Sequence, residues 1–162
     1  MPDHVSIINP PLAPAPTNSE DDVVEADGWW PSVGIKHFRA VARADETITP
    51  ARVRAALQSA MATALIDLGA WGVSQRTQGY ARLADVPTLI IDGQSRYLVY
   101  WQRAIYALAK AELIEVHRDY DATGKGERNA DFVDDSIVQL RRDATHAIRD
   151  LKGRSRTTVE LI

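Results

Sequence analysis

The sequence predicts an all-α fold: a small bundle of about four helices with an extended N-terminal arm and an extended C-terminal tail. Between residues 29 and 153, apolar side chains recur at spacings of three and four, the period of an amphipathic helix. Residues 1–28 are rich in proline, whereas residues 154–162 can alternate with a period of two. With 162 residues and 45% hydrophobic content, the chain can build one core. We therefore expect an arm over 1–28, one helical domain over 29–153 and a docking tail over 154–162.

The predicted arm is acidic. Residues 1–28 hold six acids and no Lys or Arg, which gives this segment a charge of −6 and the rest of the chain +3 for a total of −3. The same segment holds Pro2, Pro10, Pro11, Pro14 and Pro16. This composition favours an extended or disordered arm over a packed element. It leaves open whether the arm has a function.

A short first helix is expected after Trp29 and Trp30, with Pro31 in its first turn and its end near Ala44. The helix is expected to be amphipathic through Val33, His37 and Val41, with Phe38 and Ala42 nearby. The two tryptophans are expected to anchor it to the core.

A longer second helix begins with Thr49 as N-cap and Pro50 at the first helical position. Its apolar face comprises Val53, Ala56, Leu57, Ala60, Met61, Ala64, Leu65, Leu68 and Trp71. Glycines at 69, 72 and 79 indicate a fraying end and a loop. Turns at 84–87 (Ala-Asp-Val-Pro) and 92–93 (Asp-Gly) then lead to the third helix.

The third helix is predicted over about 95–117 and is the expected centre of the bundle. Its apolar face comprises Leu98, Trp101, Ile105, Leu108, Ala109, Leu113 and Val116. Residues 119–129 indicate a polar loop with two glycines, and a last helix is predicted over about 130–151. The inner face of that helix comprises Val133, Ile137, Leu140, Ala144, Ala147 or Ile148, and Leu151.

The tail after Gly153 has the pattern of a β-strand without a partner. In it, Thr157, Val159 and Leu161 alternate with Thr158, Glu160 and Ile162, and β-branched residues are frequent. A strand of this kind at a terminus can add itself to another protein's sheet, or it can fold back on its own helices. The first interpretation is favoured here, and it assigns docking to Arg156, Thr157, Thr158, Val159, Glu160, Leu161 and Ile162.

No catalytic constellation is visible in the sequence. The stretch Thr123-Gly124-Lys125-Gly126 lacks the spacing, the hydroxyl residue and the preceding strand of a phosphate loop. The four histidines are scattered, and the paired acids are typical of solvated faces. We therefore expect no enzyme activity, no cofactor and no metal.

Cations are concentrated near the C-terminus. Residues 141–156 hold six cations against two acids, more than complementarity to a helix end requires. Apart from Arg156, these are Arg141, Arg142, Arg149, Lys152 and Arg154. Such a group could meet phosphates or an acidic protein surface, although a solvated helix face is almost as good an interpretation.

The cellular compartment is indicated by three features that the sequence lacks: cysteine, a membrane-spanning run and a signal peptide pattern. There is no cysteine, hence no disulfide framework and no thiolate chemistry. No run is long enough to span a membrane, and the N-terminus lacks the pattern of a signal peptide. We expect a protein made in the cytoplasm of a cell, with no membrane partner.

Several segments, in order and spacing, resemble the head completion protein (GpL) family of contractile-tailed temperate bacteriophages. The resemblance covers about residues 29–162, and the arm lies outside it. The segments that carry it are Trp30-Pro31, Ala84 to Pro87, Asp92-Gly93, Ser95-Arg96, Arg103 to Tyr106, Ala109 to Leu113, Arg118 to Asp121, Thr123-Gly124, Gly126, Arg141 to Ala144, Gly153-Arg154, Arg156 and Thr158 to Ile162.

This resemblance implies a virion structural protein that joins the portal vertex after DNA packaging, closes the filled head and offers a surface for the tail. Its expected place is the head-tail junction, in a ring of twelve copies, as in the helical adaptors of head-tail connectors. Its expected partners are the portal protein, a head-tail stopper or tail terminator protein, further copies of itself and, non-specifically, packaged DNA. The basic residues would then face the DNA channel or the portal.

The alternative function is that of a DNA-binding helical regulator that reads duplex DNA through the Arg141-Arg142 region. An isoelectric point near 5.8 and the absence of a compact helix-turn-helix pattern argue against it. A gel shift with duplex DNA at moderate salt would separate the two functions.

Overall fold

The computed structural model describes residues 22–44, 46–121 and 127–154, with the side chains of 117–133 left out. Four α-helices account for most of these residues, so the all-α prediction is confirmed: α1 (Ile35–Ala42), α2 (Pro50–Thr77), α3 (Arg96–Asp121) and α4 (Glu127–Leu151). Two small antiparallel hairpins, which the helical periodicity did not predict, complete the described fold. They are β1 (Val23–Val24) with β2 (Val33–Gly34), and β3 (Ile90–Ile91) with β4 (Gln94–Ser95).

Helix α2 begins as the sequence predicts. Pro50 occupies the first turn, and the Thr49 hydroxyl accepts a hydrogen bond from the Arg52 backbone N–H at 3.4 Å. The predicted fraying at Gly69 and Gly72 is wrong, because the helix continues to Thr77. Gly72 serves packing instead: a Cβ at this position would lie 2.8 Å from Cζ2 of Trp30.

Helix α3 is the centre of the bundle, as predicted, because it packs against both α2 and α4. Trp101, Ile105 and Ala109 are fully buried along its inner face, whereas Val116 at the end of that predicted face is 43% exposed. The polar loop predicted over 119–129 is wrong at both ends, since α3 extends to Asp121 and α4 begins at Glu127. A polar composition alone therefore does not mark the end of a helix.

The N-terminal boundary of the domain lies earlier than residue 29. Val24 is 3% exposed, β1 pairs with β2, and the Ile35 N–H donates to the Asp22 carbonyl at 3.0 Å. Val33, expected in the first helix, is therefore in a strand, and α1 starts at Ile35. Residues 22–28, which the sequence placed in the arm, pack on the helical domain, and residues 1–21 lie outside the described chain.

Two acids of the predicted arm pair with cations of α2. Arg54 donates to the Asp22 carboxylate at 2.8 Å and to the Val23 carbonyl at 3.2 Å, in a place where both charged side chains are largely buried. Asp27 pairs with Arg76. These contacts explain why part of an acidic segment is fixed to the bundle.

Four tryptophans form one aromatic cluster, in which Trp29, Trp30 and Trp101 are buried and Trp71 is partly buried. Trp30 stacks on Trp101 with ring centroids 4.9 Å apart and meets Trp29 edge-on at 4.7 Å, and Trp71 lies 6.3–6.4 Å from both Trp29 and Trp30. Two of the indole N–H groups donate to backbone carbonyls: Trp29 Nε1 to that of Tyr80 at 2.9 Å and Trp101 Nε1 to that of Pro31 at 3.1 Å. The expectation that Trp29 and Trp30 anchor the N-terminal region is confirmed.

Candidate assembly surfaces

The cations predicted to contact a partner lie along one side of α4. At about 100° per residue, Arg141, Arg142 and Arg149 fall within roughly 100° of arc, and Lys152, the residue directly after α4, lies about 17 Å from Arg141 along the axis. Arg154 follows just after the helix ends. The inner side of α4 is formed by Ile137, Ala144, Ala147, Ile148 and Leu151, all buried. The basic stripe is thus beside the packed face, and not opposite to it.

These cations differ in how far their charge is neutralised. Arg141 donates to the Glu115 carboxylate of α3 at 2.6 Å, an ion pair between partly exposed side chains. Arg142 bonds to the side-chain oxygen of Gln139, and Lys152 Nζ donates to the Asp67 carbonyl of α2 at 3.1 Å. A neutral oxygen does not cancel a charge. Arg142 and Lys152 therefore remain able to attract an anionic partner.

The end of α4 fixes the place at which the tail leaves the bundle. The Arg154 N–H donates to the Arg149 carbonyl at 3.0 Å and the Gly153 N–H to the Asp150 carbonyl at 3.1 Å, with Gly153 at φ +66°. This pair of bonds is a Schellman motif, in which a left-handed glycine ends the helix. The predicted helix end at Gly153 is confirmed. The docking residues assigned to the tail, Arg156 to Ile162, lie outside the described residues.

An apolar groove of about 390 Å³ opens between α1, α3 and α4. Its lining residues are Val41, Ala42, Val99, Gln102, Arg103, Tyr106, Ala107, Lys110 and Leu140. The Tyr106 hydroxyl lies 2.6 Å from Nδ1 of His37, and burial raises the pKa of Tyr106 to about 12. Most of the groove's lining is apolar, and two cations of α3, Arg103 and Lys110, lie on its wall.

Among the described residues, the hairpin β3–β4 and the residue before it form a run of three consecutive exposed large apolar side chains. Leu89, Ile90 and Ile91 are 67%, 66% and 47% exposed. Asp92 and Gly93 form the turn, both with positive φ (48° and 73°), as a type I′ turn requires. A closing bond from the Arg96 N–H to the Leu89 carbonyl at 2.9 Å joins the hairpin to the start of α3.

Sequence reasoning missed both of these surfaces. An Asp-Gly pair flanked by apolar residues is a strong hairpin signal, so residues 92–93 could have predicted β3–β4. The groove had no such signal, because its walls come from three helices that only the tertiary fold brings together.

The described residues contain no group of three or more His, Asp or Glu side chains that could hold a metal ion. None of their helices is long and apolar enough to cross a bilayer. The described residues form a helical bundle that carries three surfaces accessible to another macromolecule: the basic stripe, the apolar groove and the exposed apolar hairpin.

Comparison with known families identifies the class. The profile of the phage head completion protein (GPL) family matches residues 24–162, so the match begins within β1, in the segment that the structure shows packed on the bundle. The chain belongs to this family, and the resemblance seen in the sequence is confirmed.

Two relatives are similar over nearly their whole length. The head completion/stabilization protein of Escherichia phage P2 is 36% identical over 151 residues, which cover 93% of this chain and 89% of that protein. The probable head completion/stabilization protein of Haemophilus phage HP1 is 28% identical over 145 residues, covering 88% and 94% respectively. No solved structure matches the chain.

Proposed function

We propose that this protein completes and stabilises a filled phage head by binding the portal vertex, where copies form the connector ring to which the tail attaches. Its place would be the head-tail junction of the virion. Its partners would be the portal protein, neighbouring copies of itself in a ring of twelve, and a head-tail stopper or tail terminator protein. The coarse part of this function follows from family membership and from two relatives that carry head completion in their names.

The observation that carries portal docking is the separation between core and tail. Every residue of the described hydrophobic core lies between Val24 and Leu151, and the Schellman motif at Gly153 ends α4 directly after it. The tail that follows can therefore be committed to a partner without removing a side chain from that core. Main-chain pairing would supply affinity, and Val159, Leu161 and Ile162 would fill pockets. Ring closure would strengthen each weak contact through multivalency.

Deletion of residues 157–162 tests this docking. The far-ultraviolet circular dichroism and the melting temperature should stay nearly unchanged, whereas the truncated chain should no longer be recovered with the portal protein in a pull-down. Val159→Asp or Leu161→Asp should act like the deletion, because each places a charge in an apolar pocket. Thr158→Ser is the matched mild control. Undiminished recovery of the truncated chain would show that the tail does not dock.

The basic stripe on α4 would face the channel or an acidic surface of the portal. Substituting Arg142 and Lys152, which bond to neutral oxygens, with Gln should weaken portal binding or retention of packaged DNA. Arg141→Gln is the matched comparison, because Glu115 already neutralises that residue and its loss should matter less. Unchanged binding and retention in all three variants would remove the stripe from the proposal. A salt-resistant gel shift with duplex DNA would instead favour a DNA-binding regulator.

The ring should form on the portal as its template. Light scattering of the isolated protein at micromolar concentration should show a monomer or small oligomer, and addition of the portal protein should give the complete ring. A stable dodecamer of the isolated chain would contradict this order of assembly.

A further inference from the structure

Two unlike surfaces of this chain are complementary to each other. The hairpin β3–β4 presents Leu89, Ile90 and Ile91 to solvent, with Asp92 at its tip. The groove between α1, α3 and α4 has apolar walls and carries Arg103 and Lys110. The hairpin is thus apolar with an acidic tip, and the groove is apolar with cations on its wall.

Within the described part of the chain, the hairpin does not fill the groove of its own copy. None of the described residues of the hairpin lines it, and the three apolar side chains of the hairpin remain about half to two-thirds exposed. Both surfaces are fixed to α3, since the hairpin is closed onto Arg96 at the start of that helix and the groove is lined by residues from Val99 to Lys110. Their separation and relative orientation are therefore set by one rigid element.

The charges of the two surfaces select the occupant. Neither Asp92 nor Lys110 has an ion-pair partner among the described residues. Arg103 is already paired with Asp143 at 3.3 Å, which leaves Lys110 as the cation available on the groove wall. An acid at the tip of an apolar hairpin is what such a groove would accept, and this chain supplies that hairpin itself.

We propose that the β3–β4 hairpin of one copy inserts into the α1/α3/α4 groove of the next copy, with Asp92 facing Lys110. Because donor and acceptor surfaces differ, the contact is heterologous, and repetition around an axis generates a ring. Three exposed side chains bury much less than the roughly 800 Å² per partner of a standard stable interface. The contact is therefore too small to hold free copies together at micromolar concentration, and it becomes effective where a template or a high protein concentration brings copies close to one another. The inference rests on the proposed function for the ring, and adds which surfaces form it.

Disulfide trapping tests the pairing directly, because the natural chain has no cysteine. A variant with Val41→Cys and Ile91→Cys, both at exposed positions, places one thiol at the groove and one at the hairpin. Oxidation of assembled heads should give a ladder of dimers, trimers and higher species. Ile91→Cys combined with Val73→Cys, which is 63% exposed on α2, is the matched control and should give no ladder.

Charge reversal separates specific from incidental trapping. Asp92→Lys and Lys110→Asp should each lower the ladder by about fivefold, the effect expected of one exposed ion pair. The two reversals in the same chain should restore it. Ile90→Ser with Leu89→Ser should abolish the ladder without a change in melting temperature, since both side chains are exposed.

The outcome distinguishes this inference from the function on which it rests. Chains recovered in heads without a ladder, or with an equal ladder from the Val73 control, would overturn the hairpin-groove contact and leave the proposed function intact. Chains absent from heads would overturn the proposed function. The same trapping at high protein concentration in solution would then decide whether hairpin and groove still pair, with a ladder supporting the contact and its absence refuting it.

Discussion

Replacing Gly72 with alanine should destabilise this protein, although the same change in a helix usually does the reverse. Glycine inside a helix costs about 0.5–1 kcal/mol relative to alanine, so the substitution normally gains that amount. At Gly72 the added Cβ would lie 2.8 Å from Cζ2 of Trp30, a distance at which one group must move. Trp30 has little room to move, because it stacks on Trp101 at 4.9 Å and meets Trp29 at 4.7 Å.

The expected magnitude follows from these two opposing terms. Overpacking against a rigid neighbour costs about 2–3 kcal/mol, and helix propensity offsets about 1 kcal/mol of that, which leaves a net loss of about 1–2 kcal/mol. For a chain of this length, the melting temperature should fall by about 2–8 °C. Urea unfolding followed by far-ultraviolet circular dichroism measures the free energy without relying on the tryptophans, and the slope m should not change.

Gly69 is the matched control on the same helix. No heavy atom lies within 4 Å of a Cβ built there, so Gly69→Ala should stabilise the fold by about 0.5–1 kcal/mol. The pair must therefore shift the unfolding midpoint in opposite directions. If Gly72→Ala were as stable as Gly69→Ala, the close packing of Trp30 over α2 would be refuted.

Three other substitutions test single contacts. Arg54→Met should cost about 2–4 kcal/mol, because it removes the guanidinium that lies 2.8 Å from the largely buried Asp22 carboxylate. Limited proteolysis before Trp29 should become faster, and Arg54→Lys should be milder. The loss of stability caused by Asp27→Ala should depend on pH. Burial acts to raise the pKa of Asp27, but hydrogen bonds from Arg76 and from the Trp29 and Trp30 N–H groups outweigh it and hold the pKa below its usual 3.8. The stability that Asp27 contributes is then present above pH 3.8 and is lost as the pH falls through the folded-state value, so the melting temperatures of variant and parent should converge in acid, and a constant difference at every pH would contradict this account. Arg43→Gly should stabilise by about 1 kcal/mol, because Arg43 adopts φ 49° at the end of α1, and Arg43→Ala, which gains no left-handed freedom, should show no such gain in urea unfolding.

The helices were predictable because their signals are local. Thr49 and Pro50 determine the start of α2 through a cap and a first-turn residue, and Gly153 determines the end of α4 through its left-handed backbone. Errors arose where tertiary packing overrides a local signal. Gly72 indicates a helix end in sequence, yet it lies inside α2 because Trp30, more than forty positions earlier, packs over it.

The surfaces were predictable only in part. The basic stripe on α4 could be predicted from sequence because its members are close along one helix, but the ion pair of Arg141 with Glu115 depends on how α3 and α4 pack. For the acidic segment, the sequence led to a wrong prediction of residues 22–28. Its composition indicates an extended arm, whereas Asp22 and Asp27 are held by Arg54 and Arg76 of α2, whose positions no local pattern reveals.

The clustering of the tryptophans has a practical consequence for following assembly. All four tryptophans of the chain lie in one cluster, formed by the segment before α1 and by one residue each of α2 and α3. Tryptophan fluorescence therefore reports on one place inside the bundle, and residues 154–162, which hold no tryptophan, contribute no emission of their own. If partners are engaged without disturbing the interior, the emission spectrum should stay constant as the protein is incorporated into heads, so that any spectral change marks a rearrangement of the core itself.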